Sequence, residues 1–128
     1  MVIESVLCIE DSIEKYMDVF RFLRNQNVKR IEWATDAETA MNILSDSMNT
    51  EPFDLILSDM HFNYYGKEDQ NAGVKLMYLM REQGYHIPIV FCSSQNWKIE
   101  GTLGSILYNP NRNWEMAAEQ LILDIRKM

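Results

Sequence analysis

Short hydrophobic runs alternate along the chain with longer segments whose apolar residues recur every three or four positions. Side chains repeat every two residues along a strand and about every 3.6 along a helix, so the runs predict strands and the longer segments predict helices. The predicted strands cover about 3–9, 30–34, 53–58, 87–92 and 104–108. The main predicted helices cover about 13–26, 37–47, 72–84 and 112–127.

The alternation of strand and helix predicts one α/β domain over residues 1–128, with a doubly wound, five-stranded parallel sheet. Crossovers of this length fit the strand order 2-1-3-4-5. In that order, the ligand crevice lies beyond the carboxyl ends of the first and third strands. Ser12 is the predicted N-cap of the first helix. The predicted stripe at helical spacing in this helix is Ile13, Met17, Phe20 and Leu23 or Arg24.

Composition narrows the possible partners and the cellular setting. The net charge is −7 without a basic run, which disfavours direct binding to nucleic acid. No apolar stretch is long enough for a membrane span and no signal layout opens the chain, so we expect no membrane association. Cys8 and Cys92 fall in predicted strands and are interpreted as buried thiols rather than a disulfide, which favours a cytoplasmic protein.

Carboxylates follow two of the predicted strands. Glu10 and Asp11 come directly after the first strand, and Asp59 comes after the third. If these strands are parallel neighbours, the three side chains converge at one edge of the sheet. Like charges in such a cluster need a cation beside them to remain ionised at neutral pH. Because oxygen ligands suit hard ions, the sequence predicts a Mg²⁺ site there.

Ser93 follows the fourth predicted strand, and with the carboxylates it completes a motif set. On these residues the chain resembles, over nearly its whole length, the receiver domains of response regulators, the CheY-like family. The resemblance implies a flavodoxin-like fold and a phosphoacceptor signalling domain rather than an enzyme. Asp59 would take a phosphoryl group from a histidine kinase or phosphotransfer protein in a two-component phosphorelay. An unidentified effector protein would read the result.

The resemblance also implies roles for the residues around Asp59. Asp11 and Asp59 would ligate Mg²⁺ directly, Glu10 through water, and His61 through its backbone carbonyl. Ser93 would hydrogen-bond the phosphoryl oxygens once the group has been transferred. The neighbouring hydroxyl of Ser94 competes for that last role.

Several positions depart from the family pattern. Asn109 stands where the family has a lysine, so a cationic contact to phosphate is missing and phosphorylation or its readout should weaken. Lys98, in the loop after the fourth strand, is a candidate substitute. Ile106 stands at the family's switch aromatic, which argues against the usual coupling between hydroxyl and aromatic residue.

Two connections also differ in length from the family pattern. The loop after Asp59 is longer than usual and carries Phe62, Tyr64 and Tyr65, which would form either a docking patch or a lid. The segment 95–102 is shorter than usual and leaves room for only a shortened fourth helix.

Two other functions remain open from the sequence. A pseudo-receiver would keep the fold and bind proteins without using phosphate, which the asparagine at 109 favours. A metal-dependent hydrolase or nuclease would use Glu10 with the segment Asp59-Met60-His61. The second is disfavoured because His61 stands where such a site needs another aspartate, and because no basic surface is predicted.

Overall fold

The computed structural model describes residues 1–48 and 50–128, and its main sheet has five parallel strands. The elements in chain order are β1 Ser5–Ile9, α1 Ile13–Asn25, β2 Arg30–Ala34, α2 Ala37–Ser47, β3 Leu55–Ser58, β4 Phe62–Tyr64, β5 Lys67–Asp69, α3 Ala72–Glu82, β6 Ile89–Ser93, β7 Gly104–Leu107 and α4 Glu115–Arg126. The sheet order is β2-β1-β3-β6-β7, which confirms the predicted order 2-1-3-4-5.

Helices cover both faces of the sheet because its central strands are apolar on both sides. In β1, Val6 and Cys8 belong to a core cluster shared with α1 and α4, whereas Leu7 and Ile9 belong to a second cluster shared with α2 and α3. This alternation follows from the two-residue repeat of a strand. Within the described ranges, no helix is long and apolar enough to cross a membrane.

The inward stripe predicted for α1 is partly wrong. Ile13 and Met17 are exposed, and the buried residues of this helix are Val19, Phe22 and Leu23. The predicted cap is correct, since the Ser12 hydroxyl accepts a hydrogen bond from the Lys15 backbone N–H at 3.3 Å. This cap fixes the start of α1 directly above the end of β1.

The connection between β6 and β7 contains no helix, so the expected shortened fourth helix is wrong. The chain from Ser93 to Gly104 must travel back along the sheet by roughly 16 Å, the length of a five-residue strand. A helix rises only about 1.5 Å per residue and would leave no residues for the turns at either end. The segment instead runs as irregular chain, held to the second core cluster by the half-buried side chains of Trp97 and Ile99.

The long loop after β3 forms a two-stranded antiparallel hairpin, β4 and β5, which the sequence reasoning did not predict. Its turn residues Tyr65 and Gly66 both have positive φ, 50° and 93°, as the tight turns of hairpins require. Phe62 is fully buried against the sheet, and a bridge from Asn63 to Asp36 ties the hairpin to the body. The aromatic loop is therefore anchored by Phe62, while Tyr65 remains exposed.

Candidate functional site

The three predicted carboxylates meet at the carboxyl edge of the sheet. Oxygen atoms of Glu10, Asp11 and Asp59 lie within 4.8 Å of one another. β1 and β3 are parallel neighbours with Ile9 opposite Ser58, so the following residues emerge at the same level. The Asp59 backbone N–H donates to the Ile9 carbonyl at 2.9 Å and extends the ladder one residue past the strand. The convergence is a direct consequence of sheet topology.

Glu10 is the most buried carboxylate of the three, with 5% of its surface exposed. Its Oε2 accepts a hydrogen bond from the Ser12 backbone N–H at 3.1 Å. Its backbone carbonyl accepts one from the Trp33 indole at 2.6 Å. Burial raises the pKa of Glu10 to about 7, against the opposing effect of the Lys15 ammonium and with a further rise from Asp59. The charged form of Glu10 therefore depends on a nearby cation.

Lys15 supplies a cation inside this cluster. Its ammonium Nζ lies 2.8 Å from Glu10 Oε1 and 3.4 Å from Asp59 Oδ1, and it donates to the Cys92 backbone carbonyl at 2.6 Å. The Tyr108 ring covers it, with the ring centroid 5.5 Å from Nζ. Only 12% of the Lys15 side chain is exposed. The ammonium group therefore lies beside Asp59, the candidate phosphoacceptor, rather than in solvent.

The Lys15 ammonium stays charged in this environment. Burial alone would lower the pKa of Lys15, but the charges of Cys92, Glu10 and Asp59 outweigh burial and raise it. Burial also raises the pKa of the Cys92 thiol to about 12. The neighbouring carboxylates of Glu10 and Asp59 also favour the charged form of Lys15.

The sequence reasoning missed Lys15 and offered Lys98 in its place. Lys98 is exposed and does not line the crevice that contains the carboxylates. The sequence did contain a signal that Lys15 could reach the site. Lys15 is the third residue after the Ser12 cap, and helical side chains lean toward the N-terminus of their helix. A lysine at that position points back over the end of β1.

The backbone around Asp59 is fixed on both sides. Its Oδ1 accepts a hydrogen bond from the Met60 N–H at 2.7 Å, and its backbone carbonyl accepts one from the Ser58 hydroxyl at 2.7 Å. The Met60 carbonyl accepts from the Gly73 N–H at 2.9 Å, which ties this loop to the start of α3. Oδ2 has no hydrogen-bond donor among the residues that the structure describes. That oxygen is the one left available for chemistry.

The two candidate hydroxyls occupy different positions. Ser94 lines a crevice of about 500 Å³ together with the three carboxylates and Lys15. Ser93 is buried, and its Oγ accepts hydrogen bonds from the Trp97 indole at 3.0 Å and the Gln95 N–H at 3.0 Å. In this state, Ser93 is engaged by the segment that follows β6.

The other predicted site residues do not line the carboxylate crevice. Asn109 accepts a hydrogen bond from the Asn111 N–H through Oδ1 at 2.9 Å, which uses its side chain in its own turn. His61 is exposed and lines an adjoining crevice with Ser93. Ile106 is buried in the core, and its hydrocarbon side chain has no polar atom to offer the site. Asn109 and Ile106 are not among the residues that line the carboxylate crevice.

The donor set fits a small divalent ion. All three side chains offer carboxylate oxygens, the ligands that Mg²⁺ prefers. Oxygens on an ion with about 2.1 Å bonds lie at most about 4.2 Å apart, so separations of up to 4.8 Å require only small side-chain movements. Glu10, Asp11 and Asp59 could therefore hold Mg²⁺ in the crevice.

Comparison with known proteins identifies the fold. No family model matches the chain, and no curated protein matches it in sequence. Among solved structures, the chain is similar to the N-terminal domain of a response regulator/sensory box/GGDEF three-domain protein from Carboxydothermus hydrogenoformans, with 20% identity, a TM-score of 0.67 and 94% of this chain covered against 91% of that one.

Two further structures give the same result. The chemotaxis response regulator CheY4 of Vibrio cholerae matches with 19% identity, a TM-score of 0.65 and 98% of both chains covered. The phosphorylated cyanobacterial phytochrome response regulator RcpA matches with 18% identity, a TM-score of 0.66 and coverage of 98% and 93%. The chain therefore has the CheY-like receiver-domain fold of response regulators.

Proposed function

We propose that the chain is the receiver domain of a two-component response regulator, phosphorylated on Asp59 in a Mg²⁺-dependent reaction. The donor is a histidine kinase or a phosphotransfer protein, and the signal passes to an effector protein through surface contacts. The convergence of Glu10, Asp11 and Asp59 at the switch point of the sheet is the observation that carries this proposal. The free thiols of Cys8 and Cys92 favour a reducing compartment, so we place the reaction in the cytoplasm.

The transfer needs positioning and charge neutralisation more than covalent assistance. Asp59 Oδ2 forms a bond to phosphorus as the phosphorus–nitrogen bond of the donor phosphohistidine breaks. The electron pair stays on the ring, which leaves as neutral imidazole when its other nitrogen already carries a proton. Bound Mg²⁺ would supply Lewis-acid neutralisation of the phosphoryl charge. Glu10, Asp11, Asp59 and the His61 backbone carbonyl are the ligands we assign to it.

A hydroxyl from the end of β6 would contact the transferred group. We assign this contact to Ser93, which must then exchange its hydrogen bond from Trp97 for one to a phosphoryl oxygen. Ser94 already lines the carboxylate crevice and remains the competing hydroxyl. We also place Asn109 near the phosphoryl group, where its amide would donate without adding charge.

The direct test is intact-mass spectrometry after incubation with acetyl phosphate and Mg²⁺. We expect a single phosphoryl adduct on the wild-type protein and none on Asp59→Asn, because the substituted amide is not a nucleophile. Asp46→Asn, at an exposed position on α2, is the matched control and should behave as wild type. An adduct that persists in Asp59→Asn would place the modification elsewhere and overturn the proposal.

The pseudo-receiver is the second candidate, and one observation favours it. Lys15 pairs with Glu10 and lies near Asp59, so a side chain of the protein itself partly neutralises the cluster. If the chain is a pseudo-receiver, the wild-type protein will acquire no adduct from acetyl phosphate, and its partner will recognise the unmodified fold.

A further inference from the structure

The Lys15 ammonium has three hydrogens and three acceptors near it. The contacts to Cys92 O at 2.6 Å and Glu10 Oε1 at 2.8 Å are short, whereas the approach to Asp59 Oδ1 is longer at 3.4 Å. The two short contacts fix the position of Nζ. The long one is the weakest and can be exchanged for another acceptor without moving the rest of the side chain.

The surroundings of Lys15 hold it in place. The Ser12 cap fixes the first turn of α1, from which the side chain extends. The Tyr108 ring lies over Nζ, and its hydroxyl donates to Asp18 Oδ2 at 2.5 Å, which joins the loop after β7 to α1. Such a buried cation loses little further conformational freedom when it binds an anion.

Lys15 is also the basic residue that the crevice offers. Of the described residues that line it, Lys15 alone carries a positive charge, and Glu14 and Asp18 add to the negative charge of the three carboxylates. A phosphoryl group brings about −1.5 to −2 charges at neutral pH. Bound Mg²⁺ would offset part of this repulsion, and Lys15 is the side chain of the crevice that adds a further positive charge.

We propose that Lys15 is the cationic residue that binds the phosphoryl group on Asp59. It acts from the first turn of α1, and so takes the place of a lysine after β7, where this chain has Asn109. This inference rests on the proposed function of Asp59. On phosphorylation, Nζ keeps its contacts to Glu10 and to the Cys92 carbonyl. It exchanges its contact to Asp59 Oδ1 for one to a phosphoryl oxygen. Asp59 is then an acyl phosphate whose remaining carboxyl oxygen is an uncharged carbonyl, and the negative charge near Nζ has moved onto the phosphoryl group.

The test compares Lys15→Met, Lys15→Arg and wild type at saturating Mg²⁺. Methionine keeps much of the apolar stem and removes the charge. We expect the rate of adduct formation from acetyl phosphate to fall at least about tenfold in Lys15→Met and to recover in part in Lys15→Arg. Lys29→Met is the matched control, because Lys29 is 75% exposed and, among the described residues, its ion pair is with Glu4 at the far end of the sheet.

A second variant separates phosphoryl binding from a merely structural role. Asn109→Lys in the Lys15→Met background puts a longer, cationic side chain between Tyr108 and Pro110, which both line the crevice, and we expect it to restore much of the rate. Loss of folding in Lys15→Met would not be repaired in this way. Binding of beryllium fluoride with Mg²⁺, followed by ¹⁹F NMR, should be weakened by Lys15→Met and restored by the same double substitution.

The outcomes distinguish this inference from the proposed function. A wild-type protein that takes neither phosphoryl group nor beryllium fluoride would overturn both. A wild-type protein that is phosphorylated, with folded Lys15→Met reacting at the same rate, would leave the receiver function intact and refute the role of Lys15. Failure of Asn109→Lys to rescue a folded Lys15→Met protein would also count against it.

Discussion

The thiols of Cys8 and Cys92 illustrate how completely the sheet is enclosed. Both are buried, and desolvation is the main reason that their pKa values are raised, to about 12 for Cys92 and higher still for Cys8. The thiolate is the reactive form, and the raised pKa of Cys92 keeps its thiol protonated at pH 8. Burial also blocks the approach of a reagent.

We therefore expect no rapid reaction of the native protein with a disulfide reagent such as DTNB at pH 8. In guanidinium chloride both thiols should react at once, since unfolding returns their pKa values to the ordinary range. Ser94→Cys, at an exposed position two residues after Cys92, is the positive control and should add one fast thiol. A fast thiol in the native wild-type protein would contradict the enclosed sheet.

The carboxylates were predictable and their cation was not, for a physical reason. Glu10, Asp11 and Asp59 stand at strand ends, and parallel topology alone brings strand ends together. Lys15 reaches the site through the rotation of α1 about its axis, which apolar spacing indicates only roughly. The prediction turned Ile13 and Met17 inward, whereas the structure exposes both and turns Lys15 over the crevice instead.

Gly73, in the first turn of α3, couples that helix to the site. A Cβ atom added there would lie 2.6 Å from the Asp59 backbone carbonyl and 2.7 Å from a ring carbon of Phe91. Neither neighbour can yield easily, since one is backbone and the other a fully buried ring. The absence of a side chain at this position allows the loop after β3 to pack directly on the helix.

Gly73→Ala should therefore lower the free energy of unfolding by about 1–3 kcal/mol, even though alanine is the better helix former. The crowding acts on the Asp59 backbone, so the rate of phosphorylation should fall as well. Tyr78→Ala, 61% exposed on the same helix, is the control and should change stability by less than about 0.5 kcal/mol. Denaturant unfolding measures the stability of both variants. A Gly73→Ala protein that is as stable as wild type, or more stable, would refute the close contact.

The two connections that differ from sequence expectation are those in which local pattern gives little information. The hairpin β4–β5 turns at Tyr65-Gly66, and tyrosine is an unusual residue at positive φ, so no familiar turn dipeptide marks it. The segment between β6 and β7 carries residues compatible with a short helix, but the distance it must span excludes one. In both places tertiary constraints override sequence preference.

The arrangement of the whole sheet was predicted correctly because three of its four crossovers contain the expected helix. Strands buried on both faces are uniformly apolar, and the helices between them are amphipathic, so few topologies accommodate both. The same topology concentrates negative charge at one edge, where Glu10, Asp11 and Asp59 meet around a single lysine. Repulsion among these carboxylates destabilises the folded molecule, because the same charges lie farther apart in the unfolded chain.

Mg²⁺ should therefore stabilise the whole molecule, because an ion that binds only the folded state raises the free energy of unfolding. At ten times its dissociation constant, the gain is about 1.4 kcal/mol, which corresponds to a rise in Tm of about 3–6 °C for a domain of this size. Thermal unfolding monitored by circular dichroism, with and without millimolar Mg²⁺, measures this shift.

Substitution at the site shows whether the stabilisation arises there. Asp11→Asn removes an exposed ligand without disturbing the core and should abolish most of the Mg²⁺-dependent rise, whereas Asp46→Asn on α2 should retain it. Asp11→Asn should also melt at a higher temperature than wild type in EDTA, because it relieves repulsion among the carboxylates. If millimolar Mg²⁺ leaves the wild-type Tm unchanged, Lys15 already neutralises the carboxylate cluster. The pseudo-receiver, which binds proteins without using phosphate, then becomes the better explanation of what this protein does.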